Sequence, residues 1–179
     1  MKPLKITAIS GSLKSTSANS TILKTLSAFK RDAVQFNIYN GLEDIPAFNP
    51  DKEQGNAAVA EFKRQLKEAD GVIISTPEYA FGVPGVLKNA LDWTVSSGEL
   101  NEKPVIAISA SPMYAGGDKA MTSLLLTLGA LGTKMTEHSS LSIANVLNKL
   151  KDGAVSDQAT LDQLHALFDH LINTIAAEQ

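Results

Sequence analysis

The sequence contains no cysteine, and this absence removes several classes of chemistry at once. A chain without thiols forms no disulfide, holds no thiolate-bound metal or iron–sulfur cluster, and performs no thiol redox reaction. The three histidines, His138, His165 and His170, are scattered, and no carboxylates accompany them at ligand spacing. Because a metal site needs several such ligands close together, we expect no bound metal.

Excess positive charge and long apolar runs are also missing. The formal net charge of −3 provides no electrostatic footprint for nucleic acid. No apolar run approaches the ~20 residues that a membrane span requires. The amino-terminal residues lead directly into a predicted strand, without the apolar segment of a signal peptide. The sequence therefore predicts a soluble, cytoplasmic protein with neither a nucleic-acid nor a membrane partner.

The composition is that of a folded globular chain. Of the 179 residues, 44% are hydrophobic and 20% are charged, which is ordinary for such proteins. The length is sufficient to bury a sizeable core. Since no linker, repeat or low-complexity segment interrupts the chain, we expect residues 1–179 to form a single domain.

Strand and helix patterns alternate along the chain. Apolar runs predict strands, which fall at 4–10, 33–39, 72–74, 104–109 and, more weakly, within 133–143. Apolar residues at helical spacing predict the intervening helices, which fall at about 22–29, 56–68, 83–95, 119–131 and 156–177. Ser17 or Asn19 is a suitable N-cap for the first helix. This alternation indicates an α/β doubly wound domain with a five-stranded parallel sheet.

Residues 71–95 make the clearest local pattern in the chain. Val72-Ile73-Ile74 suits a strand buried on both faces, and the following loop contains proline, glycine and two aromatic residues. Pro84 suits the first turn of a helix, where its missing N–H is no loss. A strand, a loop and a helix in this order describe the carboxyl edge of a parallel sheet, where ligands bind in open α/β folds.

The loop after the first strand gives the strongest physical indication of a ligand. Residues 10–20 carry six hydroxyl side chains and enter a helix, whose free N–H groups and positive dipole end attract anions. Neither G-x-x-x-x-G-K-[ST] nor G-x-G-x-x-G is present, which disfavours a dinucleotide and favours a terminal monophosphate held end-on. A Ser/Thr-rich turn that caps the helix and binds nothing is the alternative at this point.

Several motifs together resemble the NAD(P)H-dependent FMN reductase family of the flavodoxin-like superfamily. The segment Gly11-Ser12-Leu13-Lys14 with Ser17 and Asn19 is similar to the family's phosphate loop, G-S-x-R-x-x-S-x-N. The segments 77–93 and 45–51 resemble P-E-Y-N-x-S-x-P-G-x-L-K-N-A-I-D-W and L-P-x-F/Y-N-x-D, and a third loop runs from Ser109 to Gly117. These matches span most of the chain in the family's order.

The resemblance implies a fold and a cofactor site. The fold would be a flavodoxin-like three-layer sandwich, with a parallel sheet of order 2-1-3-4-5 and helices on both faces. FMN would be the bound cofactor and NAD(P)H the hydride donor. Three groups of residues would bind FMN: Ser12, Lys14, Ser17 and Asn19 at the phosphate; Pro77, Glu78, Tyr79, Ala80 and Phe81 at the isoalloxazine; and Ser109, Tyr114 and Gly116 on the far side.

The resemblance also implies an activity. Hydride would pass from NAD(P)H through the flavin to a small acceptor such as a flavin, a quinone or an azo compound, and no catalytic side chain is required. Family members are usually homodimers or homotetramers with flavin sites near the subunit interface. The alternative is a flavodoxin-like electron carrier that holds FMN without taking hydride, although such carriers tend to be far more acidic than this chain.

Individual residues carry more specific expectations. Lys14 stands where the family has arginine and so lacks the bidentate guanidinium. Ala80 replaces the usual asparagine, and Phe81 beside it offers an aromatic surface to the ring or the substrate. Glu78 is expected to be a structural hydrogen bonder rather than a base, and Trp93 a core or subunit-contact residue.

Overall fold

The central sheet is built from apolar, mostly β-branched runs that suit strands covered on both faces. The computed structural model describes residues 3–29, 33–52 and 54–177. Its main sheet contains β1 (Leu4–Ser10), β2 (Val34–Tyr39), β3 (Gly71–Thr76), β4 (Val105–Ala110) and β5 (Ser140–Ile143). The order is β2-β1-β3-β4-β5, and every neighbouring pair is parallel. The predicted sheet and its strand order are confirmed.

Helices cover both faces of this sheet. They are α1 (Ala18–Ser27), α2 (Ala57–Glu68), α3 (Gly85–Asp92), α4 (Asp118–Ala130) and α5 (Gln158–Ala176). One face packs against α1 and α5, with Ile22 and Phe168 in its core. The other packs against α2, α3 and α4, with Phe62 and Leu124 in its core. Because β3 and β4 are buried along their whole length, they read as continuous hydrophobic runs in the sequence.

Some element ends differ from the sequence predictions. Ser17, and not Asn19, is the N-cap of α1, since Ser17 Oγ accepts from the Asn19 N–H at 3.2 Å. The third helix ends at Asp92 instead of continuing to Val95, whose side chain is 65% exposed. Only the last four residues of the segment 133–143 form a strand. Single-sequence patterns define such boundaries poorly, because neighbouring elements decide where the last turn stays ordered.

A short hairpin near the carboxyl terminus has no counterpart among the sequence predictions. It pairs β6 (Leu150–Lys151) with β7 (Ala154–Val155) in antiparallel fashion. Asp152 and Gly153 form its turn, and both have positive φ angles. The dipeptide Asp-Gly is a strong signal for such a turn, so this hairpin could have been found from the sequence.

The long segment 40–55 is fastened to α3 instead of being free. It contains two short 3₁₀ turns, at Leu42–Asp44 and Pro50–Lys52, and its residue Glu53 lies outside the described residues. Asn89 of α3 donates from Nδ2 to the Pro46 carbonyl at 2.8 Å and accepts from the Phe48 N–H at 2.7 Å. The Trp93 indole N–H donates to the same Pro46 carbonyl at 3.0 Å.

These contacts explain why the two sequence motifs occur together. The motif of α3 supplies the amide and the indole, and the 45–51 motif supplies the backbone groups that they bind. Trp93 is only 1% exposed, so its ring belongs to the core of this chain and cannot itself form a subunit-contact surface. In the part of the chain that the structure describes, no helix is long and apolar enough to cross a membrane.

The hydrogen bonds between Asn89 and the segment 45–48 predict that Asn89→Ala destabilises the fold. The substitution removes three hydrogen bonds to the 45–48 backbone, and we expect the free energy of unfolding to fall by about 1–3 kcal/mol in urea denaturation. Hydrogen exchange should accelerate at the Phe48 amide. Lys88→Ala is the matched control on the same helix, because its exposed ion pair with Asp92 contributes only about 0.5 kcal/mol or less. Equal effects of the two substitutions would contradict the role of Asn89 in fastening the segment 45–48.

Candidate active site

The register of the three central strands brings three loops to one level at the carboxyl edge. Ser10 at the end of β1 lies beside Ser75 of β3, and Thr76 lies beside Ser109 of β4. The loops that leave these strands comprise residues 11–17, 77–84 and 111–117. They contain every candidate site residue apart from Asn19 in the first turn of α1 and Ser109 in β4.

The first loop is a preformed turn held by its own side chains. Ser12 Oγ accepts from the Lys14 N–H at 3.3 Å, and the Ser17 N–H donates to the Lys14 carbonyl at 3.0 Å. Asn19 is buried, and its Oδ1 accepts from Ser75 Oγ of β3 at 2.8 Å. Part of the hydrogen-bonding capacity of Ser12, Ser17 and Asn19 therefore serves to shape the loop and tie it to the sheet.

The same loop has groups left over for an anion. Among the described residues, no hydrogen-bond partner is found for the backbone N–H groups of Ser15 and Thr16, and both residues are exposed just before α1. The Lys14 ammonium is exposed beside them. Free N–H groups, a helix amino end and a cation suit a phosphate, so the residues present fit the phosphate of FMN.

A cavity next to this loop adds two residues that the sequence reasoning missed. It has a volume of about 330 Å³, and Lys14 and Lys24 line it together with Ser12 and Ser20. Ser20 and Lys24 stand four residues apart and share a face of α1. The four-residue spacing of Ser20 and Lys24, next to a hydroxyl-rich loop, could have indicated both residues from the sequence.

The loop after β3 closes into a tight two-residue turn. The N–H groups of Tyr79 and Gly82 each donate to the other residue's carbonyl at 3.0 Å. Ala80 and Phe81 between them have φ angles of 49° and 61°, which describes a type I′ turn. Within the described residues, the N–H groups of Ala80 and Phe81 have no partner. The turn thus presents two backbone donors, and these donors do not depend on which side chain stands at position 80.

Glu78 connects this turn to the next loop. Its Oε2 accepts from the N–H groups of Lys119 and Ala120, both at 2.9 Å, in the first turn of α4. The N-cap residue itself, Gly117, has no side chain with which to cap the helix. The carboxylate satisfies two otherwise unpaired donors and lies at the positive end of the helix. The expectation that Glu78 is a structural hydrogen bonder is confirmed.

The loop after β4 is shaped by two of its candidate residues. Ser109 is fully buried, and its Oγ lies 2.8 Å from the Gly116 carbonyl and 2.9 Å from Ser142 Oγ. Gly116 has φ +65°, and a Cβ there would come within 3.0 Å of the Ala144 nitrogen. Both residues hold the loop in place, and Tyr114 stands at its tip with 84% of its surface exposed. The side chain of Ser109 is therefore less available to a ligand than that of Tyr114.

A second depression lies at the opposite end of the sheet, where Lys103 bonds to the framework. A shallow depression of about 500 Å³ there is lined by residues including Lys5, Asp70 and Lys103. Burial lowers the pKa of the Lys103 ammonium, which donates to the carbonyls of Lys67 and Ala69. These bonds fasten the α2–β3 connection. Among the described residues, no group of three or more histidine, aspartate or glutamate side chains could hold a metal ion.

The sheet order, the phosphate-type loop after β1 and the free donors after β3 define a flavodoxin-like flavoprotein. The model of the family "NADPH-dependent FMN reductase" matches residues 4–148, and the chain belongs to this family.

Individual proteins agree with this assignment. The chain is 33% identical to a quinone reductase of Escherichia coli over 169 residues, which is 90% of this chain and 89% of that protein. It is 28% identical to the NADH-dependent flavin reductase subunit 2 of Lactobacillus johnsonii, over 98% of this chain and all of that protein. The structure of FerB, a flavoenzyme NAD(P)H:(acceptor) oxidoreductase from Paracoccus denitrificans, superposes with a TM-score of 0.83 at 27% identity, covering 97% of this chain and 98% of that one.

The family settles the choice that the sequence reasoning left open. The chain is an NAD(P)H-dependent oxidoreductase that uses FMN, and this favours the enzyme over the electron carrier. The predicted family, enzyme class and cofactors are confirmed. The roles of single residues in binding the flavin are untested by these comparisons and remain predictions.

The contacts of Glu78 predict a stability effect. Glu78→Ala leaves two helix N–H groups without their acceptor, so we expect the free energy of unfolding of the apoprotein to fall by about 1–2 kcal/mol. Glu78→Gln keeps an acceptor oxygen without the charge and should lose less than half as much. Chemical denaturation of the three proteins measures the difference. Indistinguishable stabilities would show that Glu78 does not cap α4.

Proposed function

We propose that the chain reduces small planar acceptors, principally quinones, at an FMN held on the carboxyl edge of the sheet. The observation that supports this most directly is the meeting of three braced loops with unpaired backbone donors and exposed aromatic side chains. The similarity to a quinone reductase over most of the chain supports the acceptor class. Free flavins and azo compounds are further acceptors that the open carboxyl edge of the sheet would admit.

The first loop would bind the phosphate of FMN. Lys14 would supply the charge, and the N–H groups of Ser15 and Thr16 would donate to the phosphate oxygens. Ser12, Ser17 and Asn19 would contribute mainly by fixing the loop, since their side chains already hold its turn or bind β3.

The second and third loops would enclose the ring. Pro77, Glu78 and Tyr79 would form one wall, and the N–H groups of Ala80 and Phe81 would bind ring heteroatoms. Tyr114 would close the far side, on a loop fixed by Ser109 and Gly116. Backbone donors aimed at a ring edge can stabilise negative charge that develops there.

The bound FMN supplies the redox chemistry, in which NAD(P)H, a proton and a quinone give NAD(P)⁺ and a hydroquinone. The protein binds and orients the reactants, and none of its side chains needs to act as acid or base.

We further propose that residues 1–179 act as one flavin-binding domain. We also propose that the chain forms a homodimer or a homotetramer, for which the exposed Val95, just after α3, and Leu126 of α4 are candidate contact residues. A cytoplasmic location fits the use of NAD(P)H.

The function is tested with the purified protein and added FMN. A yellow protein should lose its flavin absorbance when NADPH or NADH is added without oxygen. An equimolar amount of a benzoquinone should then restore the absorbance. A flavoprotein that stays oxidised with both nucleotides would contradict the proposal, and so would a protein that takes up no FMN.

Lys14 provides a residue-level test of the phosphate site. Lys14→Ala should weaken FMN binding about tenfold or more, because a hydrogen bond to a charged group contributes about 1.5–3 kcal/mol. Lys14→Arg should bind FMN more tightly than the natural chain, since guanidinium forms a bidentate pair with phosphate. Fluorescence titration of apoprotein with FMN measures both changes. Lys52→Ala, a similarly exposed lysine outside the site, is the control, and equal dissociation constants for all four proteins would refute the role of Lys14.

A further inference from the structure

The turn at 79–82 holds two side chains in a costly backbone conformation. Type I′ turns have positive φ at both central residues, and Asn-Gly or Gly-Gly normally occupies them. Here Ala80 and Phe81 occupy them, with φ angles of 49° and 61°. A bulky residue in this region is an outlier that persists only where the surrounding structure enforces it, and such outliers concentrate at functional sites.

The surroundings of the turn do enforce it. Reciprocal hydrogen bonds of 3.0 Å between Tyr79 and Gly82 close the turn. Glu78 just before it is bonded to α4, and the Tyr79 hydroxyl reaches Ser12 Oγ of the first loop at 3.5 Å. The turn is therefore held by the first loop on one side and by α4 on the other, and its backbone fixes the Cα position of Phe81.

Phe81 is also exposed to an unusual degree for a large apolar residue. Its side chain is 79% exposed, and Tyr79 on the same turn and Tyr114 on the adjacent loop are 54% and 84% exposed. Large aromatic groups exposed on neighbouring loops at the ligand-binding edge of a sheet are candidates for ligand contacts. Asparagine or glycine at position 81 would relieve the backbone strain and remove the exposed ring. The presence of phenylalanine despite both costs therefore indicates a functional role.

We infer that Phe81 is the acceptor-specificity residue of this site, and that its ring stacks on planar aromatic acceptors. The inference rests on the proposed function, because it assigns Phe81 to acceptor binding at the same site. An aromatic ring favours flat, conjugated ligands through offset stacking, and it offers nothing comparable to a compact inorganic anion. The turn presents the ring without conformational freedom in the backbone, which lowers the entropy cost of binding.

The test compares two acceptors across three variants of the FMN-loaded protein. Phe81→Leu keeps an apolar side chain without the ring, Phe81→Gly also relieves the strain, and Phe81→Tyr keeps the ring. For 1,4-naphthoquinone we expect kcat/KM to fall roughly two- to tenfold in the Leu and Gly variants, and to stay within about twofold in the Tyr variant. The ratio of kcat/KM for naphthoquinone to kcat/KM for ferricyanide, a compact anion, should fall roughly two- to tenfold in the Leu and Gly variants and stay within about twofold in the Tyr variant.

A second measurement does not depend on turnover. Binding of 2-naphthoic acid, a planar compound that cannot accept hydride, should weaken in the Leu and Gly variants and not in the Tyr variant when followed by calorimetry. This measurement separates the two proposals: absent NAD(P)H oxidation would refute the function, whereas ring-dependent naphthoate binding would still support the assignment of Phe81.

Three results would overturn the inference. Equal losses with naphthoquinone and ferricyanide would show that Phe81 acts on the flavin and not on the acceptor. Unchanged kinetics and unchanged naphthoate binding in the Leu variant would show that the ring has no role. A smaller oligomer for the Leu variant than for the natural chain in light scattering would assign Phe81 to a subunit contact instead.

Discussion

The parallel register of β1, β3 and β4 is the constraint on which the candidate active site depends. Backbone pairing sets Ser10 beside Ser75 and Thr76 beside Ser109, so the three strands end at one level. The loops that follow must leave from the same edge, whatever their own sequences prefer. Because β3 and β4 are buried on both faces, a register shift of one residue would exchange the side chains that these strands supply to the two cores, so packing also fixes the register.

Side chains then convert three neighbouring loops into one surface. Asn19 bonds to Ser75, Glu78 caps α4, and Ser109 holds the Gly116 carbonyl. Each of these polar groups bonds to another part of the protein, and for the buried Asn19 and Ser109 an unpaired donor or acceptor would be costly. The groups that remain for a ligand are of a different kind, namely backbone N–H groups, the lysines Lys14 and Lys24, and exposed aromatic rings. Framework and recognition are thus divided between different atoms of the same motifs.

The motif of α3 shows the same division. In the sequence it follows directly after the loop 77–84, and this position suggests a role in binding. In the structure its Asn89 and Trp93 instead fasten the segment 45–48 by the Pro46 carbonyl. Just before this motif, Ala80 and Phe81 have positive φ angles at positions where a type I′ turn normally has asparagine or glycine. Local conflict inside a consistent framework is what distinguishes a functional turn from a poorly folded one.

The sequence by itself determined the alternation of strands and helices, the parallel sheet, the family and the loop that suits a phosphate, because periodicity and short motifs are local properties of the chain. It also indicated that Glu78 is structural, since no partner for acid–base work stood near it. Only the tertiary structure decided that Asn19 and Ser109 turn their side chains into the framework and that Lys24 joins Lys14 at one cavity. These outcomes depend on contacts between residues far apart in sequence. Which atoms of a motif stay free for a ligand is decided by the neighbours that the fold supplies.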